Sequence, residues 1–340
     1  MKIMLIGYCE PEYHIGNFFR EALRLAGCEH SVVDDQEYFG GLASSIWQKF
    51  FYHLLGRPLN YLAFNRDIVR TAATFRPTLA LIVKGAFVSP QTLKKLSALG
   101  VKLINYATDD PFNLINSNRD LLAGIPFYDL YACPRRAMMD DIQKAGCPNV
   151  AYVPFGYEPR IHYPEAPVNP AEIARFTSDV VFIGNADADR KPVLLPLTQM
   201  TRLSIHLRGA FWRRDARFAP LARDFAYGRE YRLALTATRI ALCLVRRANR
   251  DGHVMRTFEI PACGAFMLAE RTDEHLAFFR EDHEVVYFAS NEELCDKINY
   301  YLTHEAVRQR IAAAGHSRVT GEQHTYRRRL EQILAYVDQL

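Results

Sequence analysis

The chain has 340 residues, 49% hydrophobic and 24% charged, with 18 glycines and 17 prolines, a globular composition that excludes a disordered or collagen-like chain. Its 42 basic and 38 acidic residues give a net charge of +4, too even a balance to expect nucleic acid as a partner. The 7 cysteines are scattered and never spaced as C-x-x-C, which argues against a disulfide framework or a zinc site and fits a reducing, cytoplasmic setting.

A chain of this length outgrows one core and suits two domains of about 150 to 180 residues, with a cleft between them. The start, MKIMLIGYCEPEYHIG, is too short in apolar residues for a signal peptide or a span and reads as a first strand. Peripheral membrane association is the most the sequence allows. The βαβ rhythm then runs through strand Lys2 to Ile6, helix Asn17 to Ala26, and strands Ser31 to Val33, Leu79 to Val83 and Lys102 to Tyr106. Strand Leu130 to Ala132, helix Arg136 to Ala145 and strand Val150 to Val153 follow. Prolines 154, 159, 164, 167 and 170 with Gly156 mark a linker at 159–174 between domains 1–158 and 175–316.

A second alternating series has strands Asp179 to Ile183, Leu203 to Leu207, Ile240 to Val245, Ala265 to Leu268 and Val285 to Phe288. Helices Glu292 to Leu302, Glu305 to Ala314 and Gln323 to Leu340 close the chain, the last within a terminal segment 317–340. The fold class expected is α/β with two Rossmann-like domains.

Open α/β sheets collect ligands beyond the carboxyl ends of their strands. In the first half these positions hold Gly7 through Gly16, Lys84 and Gly85, and Asp109 and Asp110, candidates for binding an acceptor. Asp109-Asp110-Pro111 reads equally as a turn. His14 titrates near neutrality and is a candidate general base, or an ordinary loop histidine. In the second half the positions hold Gly184, Asn185 and Asp187, Arg208 and Gly209, and Arg246 through Gly252. The segment 246–270, RRANRDGHVMRTFEIPACGAFMLAE, joins a strand to a basic loop, a tight turn at Gly252 and a helix from about His253 whose amides would face a diphosphate. Trp47 and Trp212 read as packing or surface aromatics before sugar platforms. No G-x-G-x-x-G follows either domain's first strand, which argues against nicotinamide binding.

Within that segment Arg256-x-Phe258-Glu259-Ile260-Pro261-Ala262-Cys263-Gly264, with Ala269-Glu270, resembles the signature of CgeB-like glycosyltransferases. The likeness extends to Val285–Phe288, residues 291–302 and His324-Thr325-Tyr326, and more loosely to Asp109-Asp110-Pro111 and residues 153–157. The resemblance implies the GT-B architecture, in which the C-terminal helix returns to the N-terminal domain. It implies transfer of a sugar from a nucleotide-diphosphate donor, such as a UDP-sugar, to a glycan, protein or small-molecule acceptor, with no cofactor and no metal. By that likeness Glu259 binds the nucleotide ribose, with a solvated helix carboxylate as its plain alternative. Asp251, where the wider pattern has Glu, either contacts the donor sugar or caps the following helix. A metal-free transfer needs fixed cations for the leaving diphosphate, and Arg190, Arg208 and Arg256 are the candidates, with Arg246, Arg247 and Arg250 as surface charges or helpers. Gly184 lets the backbone approach the donor. A non-catalytic sugar- or nucleotide-binding protein of the same fold is the alternative reading.

Overall fold

A computed structural model describes residues 1–40 and 57–340; Trp47 lies outside the described residues. The chain divides into two compact units, Met1–Pro154 with Tyr326–Leu340, and Phe155–Thr325.

The first unit is a six-stranded parallel sheet of β1 (Lys2–Gly7), β2 (Glu29–Asp34), β3 (Leu79–Val83), β4 (Lys102–Tyr106), β5 (Leu130–Cys133) and β6 (Val150–Tyr152), in the order β2-β1-β3-β4-β5-β6. Strands covered on both faces read as unbroken apolar runs; β3, LALIV, is buried throughout. One face packs Ile6, Ile82 and Leu103 with Phe64 and Ile68 of α2 (Tyr61–Phe75) and Leu93 and Leu96 of α3 (Pro90–Ala98). The helix α1 (Ile15–Leu25) places Phe18 and Phe19 against Tyr326, at ring distances of 5.0 and 5.4 Å. Tyr326 opens the terminal helix Tyr326–Val337, which belongs to this unit.

The second unit has six parallel strands: β7 (Ser178–Ile183), β8 (Ile205–Arg208), β9 (Ala222–Arg223), β10 (Thr238–Cys243), β11 (Met267–Glu270) and β12 (Val286–Phe288), ordered β12-β11-β10-β7-β8-β9. Its core joins Val180, Phe182, Leu207, Leu242 and Leu268 with Trp212, Leu294 and Ile298. No helix among the described residues is long and apolar enough to cross a membrane.

Several expected boundaries move. Residues 155–174 group with the second unit; Phe155, Gly156, Tyr157, Glu158, Ile161 and His162 are buried, and residues 163–174 run along the surface. Pro170 stands in the first turn of α5 (Pro170–Phe176), where its missing N–H costs nothing, and the Asn169 side chain accepts from the Glu172 amide at 2.9 Å. Just before it, Glu165 is held by Arg229 and Arg232 at 2.5 and 2.7 Å. The strands expected at 203–207, 240–245 and 265–268 shift by about two residues, because buried apolar residues such as Leu244 and Val245 sit in the loops beside the ladder. The helix expected to stop at Ala314 runs from Glu305 to Gly321. Gly315 does not end it: a Cβ there would lie 2.4 Å from the Glu284 carbonyl oxygen, so this glycine lets the helix pack closely.

Candidate functional site

The order of the second sheet reverses at β7, with β8 and β9 on one side and β10, β11 and β12 on the other. Ligands of open α/β sheets bind beyond the carboxyl ends at such a switch point. The loops leaving β7 and β10 there carry Gly184 through Arg190 and Arg246 through Arg256.

Gly184 is buried, and a Cβ on it would lie 2.8 Å from the Phe182 ring. Its amide donates to the Arg208 carbonyl at 2.8 Å, and its carbonyl accepts from the Trp212 indole at 2.7 Å. Asn185 is exposed and its side-chain oxygen accepts from the Ala210 amide at 2.9 Å. Asp187 accepts from the Arg190 amide at 2.8 Å and starts α6 (Arg190–Leu194). The Arg190 side chain, 5% exposed, bends back to the Asn185 carbonyl at 3.0 Å and to Asp187 at 3.2 Å. Burial, with Arg256 and Arg246 nearby, lowers its pKa to about 10, so it stays charged at neutral pH. The Nε atoms of Arg190 and of Arg256 are buried without a hydrogen-bond partner among the described residues. A buried donor left unmade costs about 1–3 kcal/mol, so two such guanidinium nitrogens in one electrostatic cluster mark a place for an anion.

The second loop departs from expectation at three points. Asp251 accepts from the Arg246 amide at 3.2 Å and closes its own loop; it caps no helix, since α8 (Arg256–Ala262) begins at Arg256 and has no side-chain cap. The amides near its start are engaged, Val254 by the Thr257 hydroxyl at 3.1 Å and Thr257, Phe258 and Glu259 by the carbonyls of Val254 and Met255. The left-handed turn falls at Arg250, with φ +51°, and not at Gly252. A Cβ on Gly252 would lie 2.5 Å from the Glu274 carboxyl carbon, so a side chain there would displace that carboxylate. That carboxylate accepts from His253 Nδ1 at 2.5 Å, while His253 Nε2 accepts from the Phe155 amide at 3.1 Å.

Glu259 is 5% exposed; one oxygen accepts from Tyr231 at 2.7 Å and the other lies 3.6 Å from His162 Nε2. His162 Nδ1 accepts from the Glu158 amide at 3.0 Å, which leaves Nε2 as its N–H. Burial pushes the His162 pKa down, opposed by Glu259. Glu259 is thus an interior carboxylate of fixed orientation rather than a solvated one. Arg208, 1% exposed, donates to the carbonyls of Arg175 and Asp224 at 2.6 and 3.2 Å and stacks on Phe176, while its Nε is buried without a hydrogen-bond partner among the described residues. It holds β8 to its surroundings. Arg246 lies 3.8 Å from Asp187, and Arg247 is an exposed residue 3.5 Å from Glu270.

In the first unit the sheet order turns between β1 and β3. Gly16 is buried against the Tyr8 carbonyl, 2.3 Å from where its Cβ would be. Lys84, with φ +64°, pairs with Asp109 at 2.9 Å, and Asp110 accepts from the Phe112 amide at 3.0 Å as a turn residue. His14 contacts Tyr8 edge-on, and burial lowers its pKa to about 4; the expectation that it titrates near neutrality is overturned by its desolvation.

Sequence reasoning passed over Asp35, Tyr231 and His162. Asp35 follows the last residue of β2, so the strand-end signal that found Asp109 was present; reading β2 as ending at Val33 hid it. Its pKa is raised to about 7 by burial and by Asp34, against Lys84. Tyr231 and His162 lie away from strand ends and carry no such signal. Among the described residues no three His, Cys, Asp or Glu side chains group as metal ligands would.

Residues 190–335 match the glycosyl transferase-like family, and no curated protein matches the chain in sequence. Among solved structures, that of Anabaena Alr3699/HepE in complex with UDP-glucose is similar with a TM-score of 0.66 at 13% identity, covering 100% of both chains. Sucrose-phosphate synthase from Thermosynechococcus elongatus has a TM-score of 0.68 at 12% identity, covering 100% of this chain and 98% of that one. A glycosyltransferase from Rickettsia africae has a TM-score of 0.64 at 10% identity, covering 99% and 98%. Residues 190–335 are thus similar in sequence to the glycosyl transferase-like family, and the whole chain shares the two-sheet α/β fold, GT-B, of these solved structures.

Proposed function

We propose that this protein is a glycosyltransferase that moves a sugar from a nucleoside-diphosphate donor, bound at the switch point of the second unit, to an acceptor hydroxyl. The observation that carries the reading is the pair Arg190 and Arg256, whose buried Nε atoms have no hydrogen-bond partner among the described residues. The sequence match over 190–335 and the complex of a similar fold with UDP-glucose support it, and the segment Arg256 to Gly264 favours the CgeB-like branch.

Breaking the bond from the anomeric carbon to phosphate oxygen leaves negative charge on the diphosphate. Fixed guanidinium groups stabilise that charge more in the transition state than in the ground state. We assign this role to Arg190 and Arg256, without a metal ion. Gly184 and Gly252 keep the two loops free of side-chain bulk, and Asn185 offers its exposed amide to the donor. Glu259 takes the ribose hydroxyls on the lone pairs that Tyr231 leaves, and Asp251 faces the sugar. For the acceptor we assign the first unit's Lys84, Asp109, Asp110 and the loop ending at Gly16. Seven free cysteines suit a cytoplasmic enzyme.

Titration calorimetry with UDP, GDP, ADP and dTDP and their sugars, with EDTA present, tests the donor site. One nucleotide should bind wild type, and Glu259→Ala should weaken it about tenfold or more. No binding by any of them sinks the donor site. Release of the nucleoside diphosphate from the bound sugar nucleotide then separates an enzyme from a binding protein.

A further inference from the structure

Phe211 is the one aromatic residue with positive φ among the described residues, at +72°, a conformation that bulky side chains rarely adopt. Its ring is 49% exposed, whereas its neighbours Trp212 and Phe218 are fully buried. The backbone on either side explains how the conformation is held. Ala210 donates its amide to Asn185 Oδ1 at 2.9 Å and accepts from the Ala186 amide at 2.9 Å. Trp212 donates its indole N–H to the Gly184 carbonyl at 2.7 Å. Gly209 lies so close that a Cβ on it would be 2.3 Å from the Gly184 oxygen. The residue between these anchors is forced left-handed.

The loop that anchors Phe211 is the one that carries Arg190, whose guanidinium accompanies the Asn185 carbonyl at 3.0 Å and keeps an unpartnered Nε. The Arg214 guanidinium lies 4.4 Å from the Phe211 ring centroid. Strain of this kind persists where the surroundings over-determine it, and it gathers at ligand sites. An exposed ring on a rigid loop is a stacking surface for a planar heterocycle, whichever base it is.

We propose that Phe211 is the platform on which the nucleobase of the donor stacks, while the diphosphate reaches Arg190. The proposal rests on the glycosyltransferase reading above and adds to it the subsite for the base. Glycine at this position removes the ring and also relieves the left-handed backbone, so affinity and stability move in opposite directions. A residue that only supports the fold would lose both.

The test is calorimetric titration of wild type, Phe211→Gly and Phe211→Tyr with pyrophosphate and with whichever of UDP, GDP, ADP and dTDP binds wild type most tightly. Phe211→Gly should bind that nucleotide about five- to a hundredfold more weakly, keep its pyrophosphate affinity within about twofold, and melt no lower than wild type. Phe211→Tyr should bind as wild type does. Unchanged nucleotide affinity in Phe211→Gly overturns the platform, as does an equal loss for pyrophosphate. If wild type binds no nucleoside diphosphate, the donor site itself has failed, an outcome seen before any variant is made.

Discussion

The carboxyl edges of the two sheets differ in the charge they leave unmatched. Beyond β1, β2 and β4 the first unit gathers acids: Asp34 accepts from the amides of Cys9, Glu10 and Gln36 at 3.2, 2.9 and 2.9 Å, and Asp109 neutralises Lys84 at 2.9 Å. Asp35 stands beside them with its pKa raised to about 7. Beyond β7 and β10 the second unit gathers arginines, and the Nε atoms of Arg190 and Arg256 are buried with no hydrogen-bond partner among the described residues. Two sheets of the same class therefore suit different guests. On the reading proposed above, the second would hold the donor's diphosphate and the first an acceptor hydroxyl.

The sharpest way to break this comparison is to remove Arg190. Arg190→Met keeps bulk and loses charge, and nucleoside-diphosphate affinity should fall about ten- to a hundredfold by calorimetry, the range for a charged hydrogen bond; unchanged affinity would move the anion elsewhere. Gly209→Ala should next lower stability by about 2–3 kcal/mol, read as a fall in melting temperature, because the new Cβ meets the Gly184 oxygen and φ is +150°. Asp35→Asn probes the acidic edge. The folded chain holds the Asp35 proton to about pH 7, against roughly pH 4 when unfolded. Wild type thus loses stability as pH rises between these values. The variant should gain on wild type over that window, by on the order of 1 kcal/mol after solvent screening; a pH-independent difference would show that the carboxyl is not shifted. The smallest effect is expected for Arg247→Ala, an exposed residue 3.5 Å from Glu270, with stability changed by less than about 0.5 kcal/mol and nucleotide affinity within about twofold.

Much of the sheet architecture was legible in sequence because buried parallel strands leave a signal that polar neighbours do not blur. Leu79–Val83 and Lys102–Tyr106 coincide with their expected limits. The helix Tyr61–Phe75 was missed: a polar Asn65 stands on its buried face, donating to the Tyr61 and Phe87 carbonyls at 2.9 Å and accepting from the Ser89 amide and Thr92 hydroxyl at 2.8 and 2.7 Å. Within the proline-rich stretch Pro170 stands at a helix start, a position proline favours as readily as a linker. At the candidate site, strand-end position singles out Gly184, Asn185, Asp187 and the loop 246–252, and the need for fixed cations singles out Arg190. Neither could tell that Arg208 points into carbonyls or that His14 is desolvated, since both depend on what packs around a side chain rather than on where it sits in the chain.

The first unit takes its last helix from the far end of the chain. Tyr326 packs on Phe18 and Phe19 of α1, and Leu330 and Ile333 are buried with it. On the ribosome, the residues made first must therefore wait for those made last. The second unit, Phe155–Thr325, is continuous in sequence and can close while its predecessor still exposes the groove meant for Tyr326. The vulnerable species during synthesis is the half-built first unit, and a chain released before Tyr326 would carry its fault at the opposite end from the truncation.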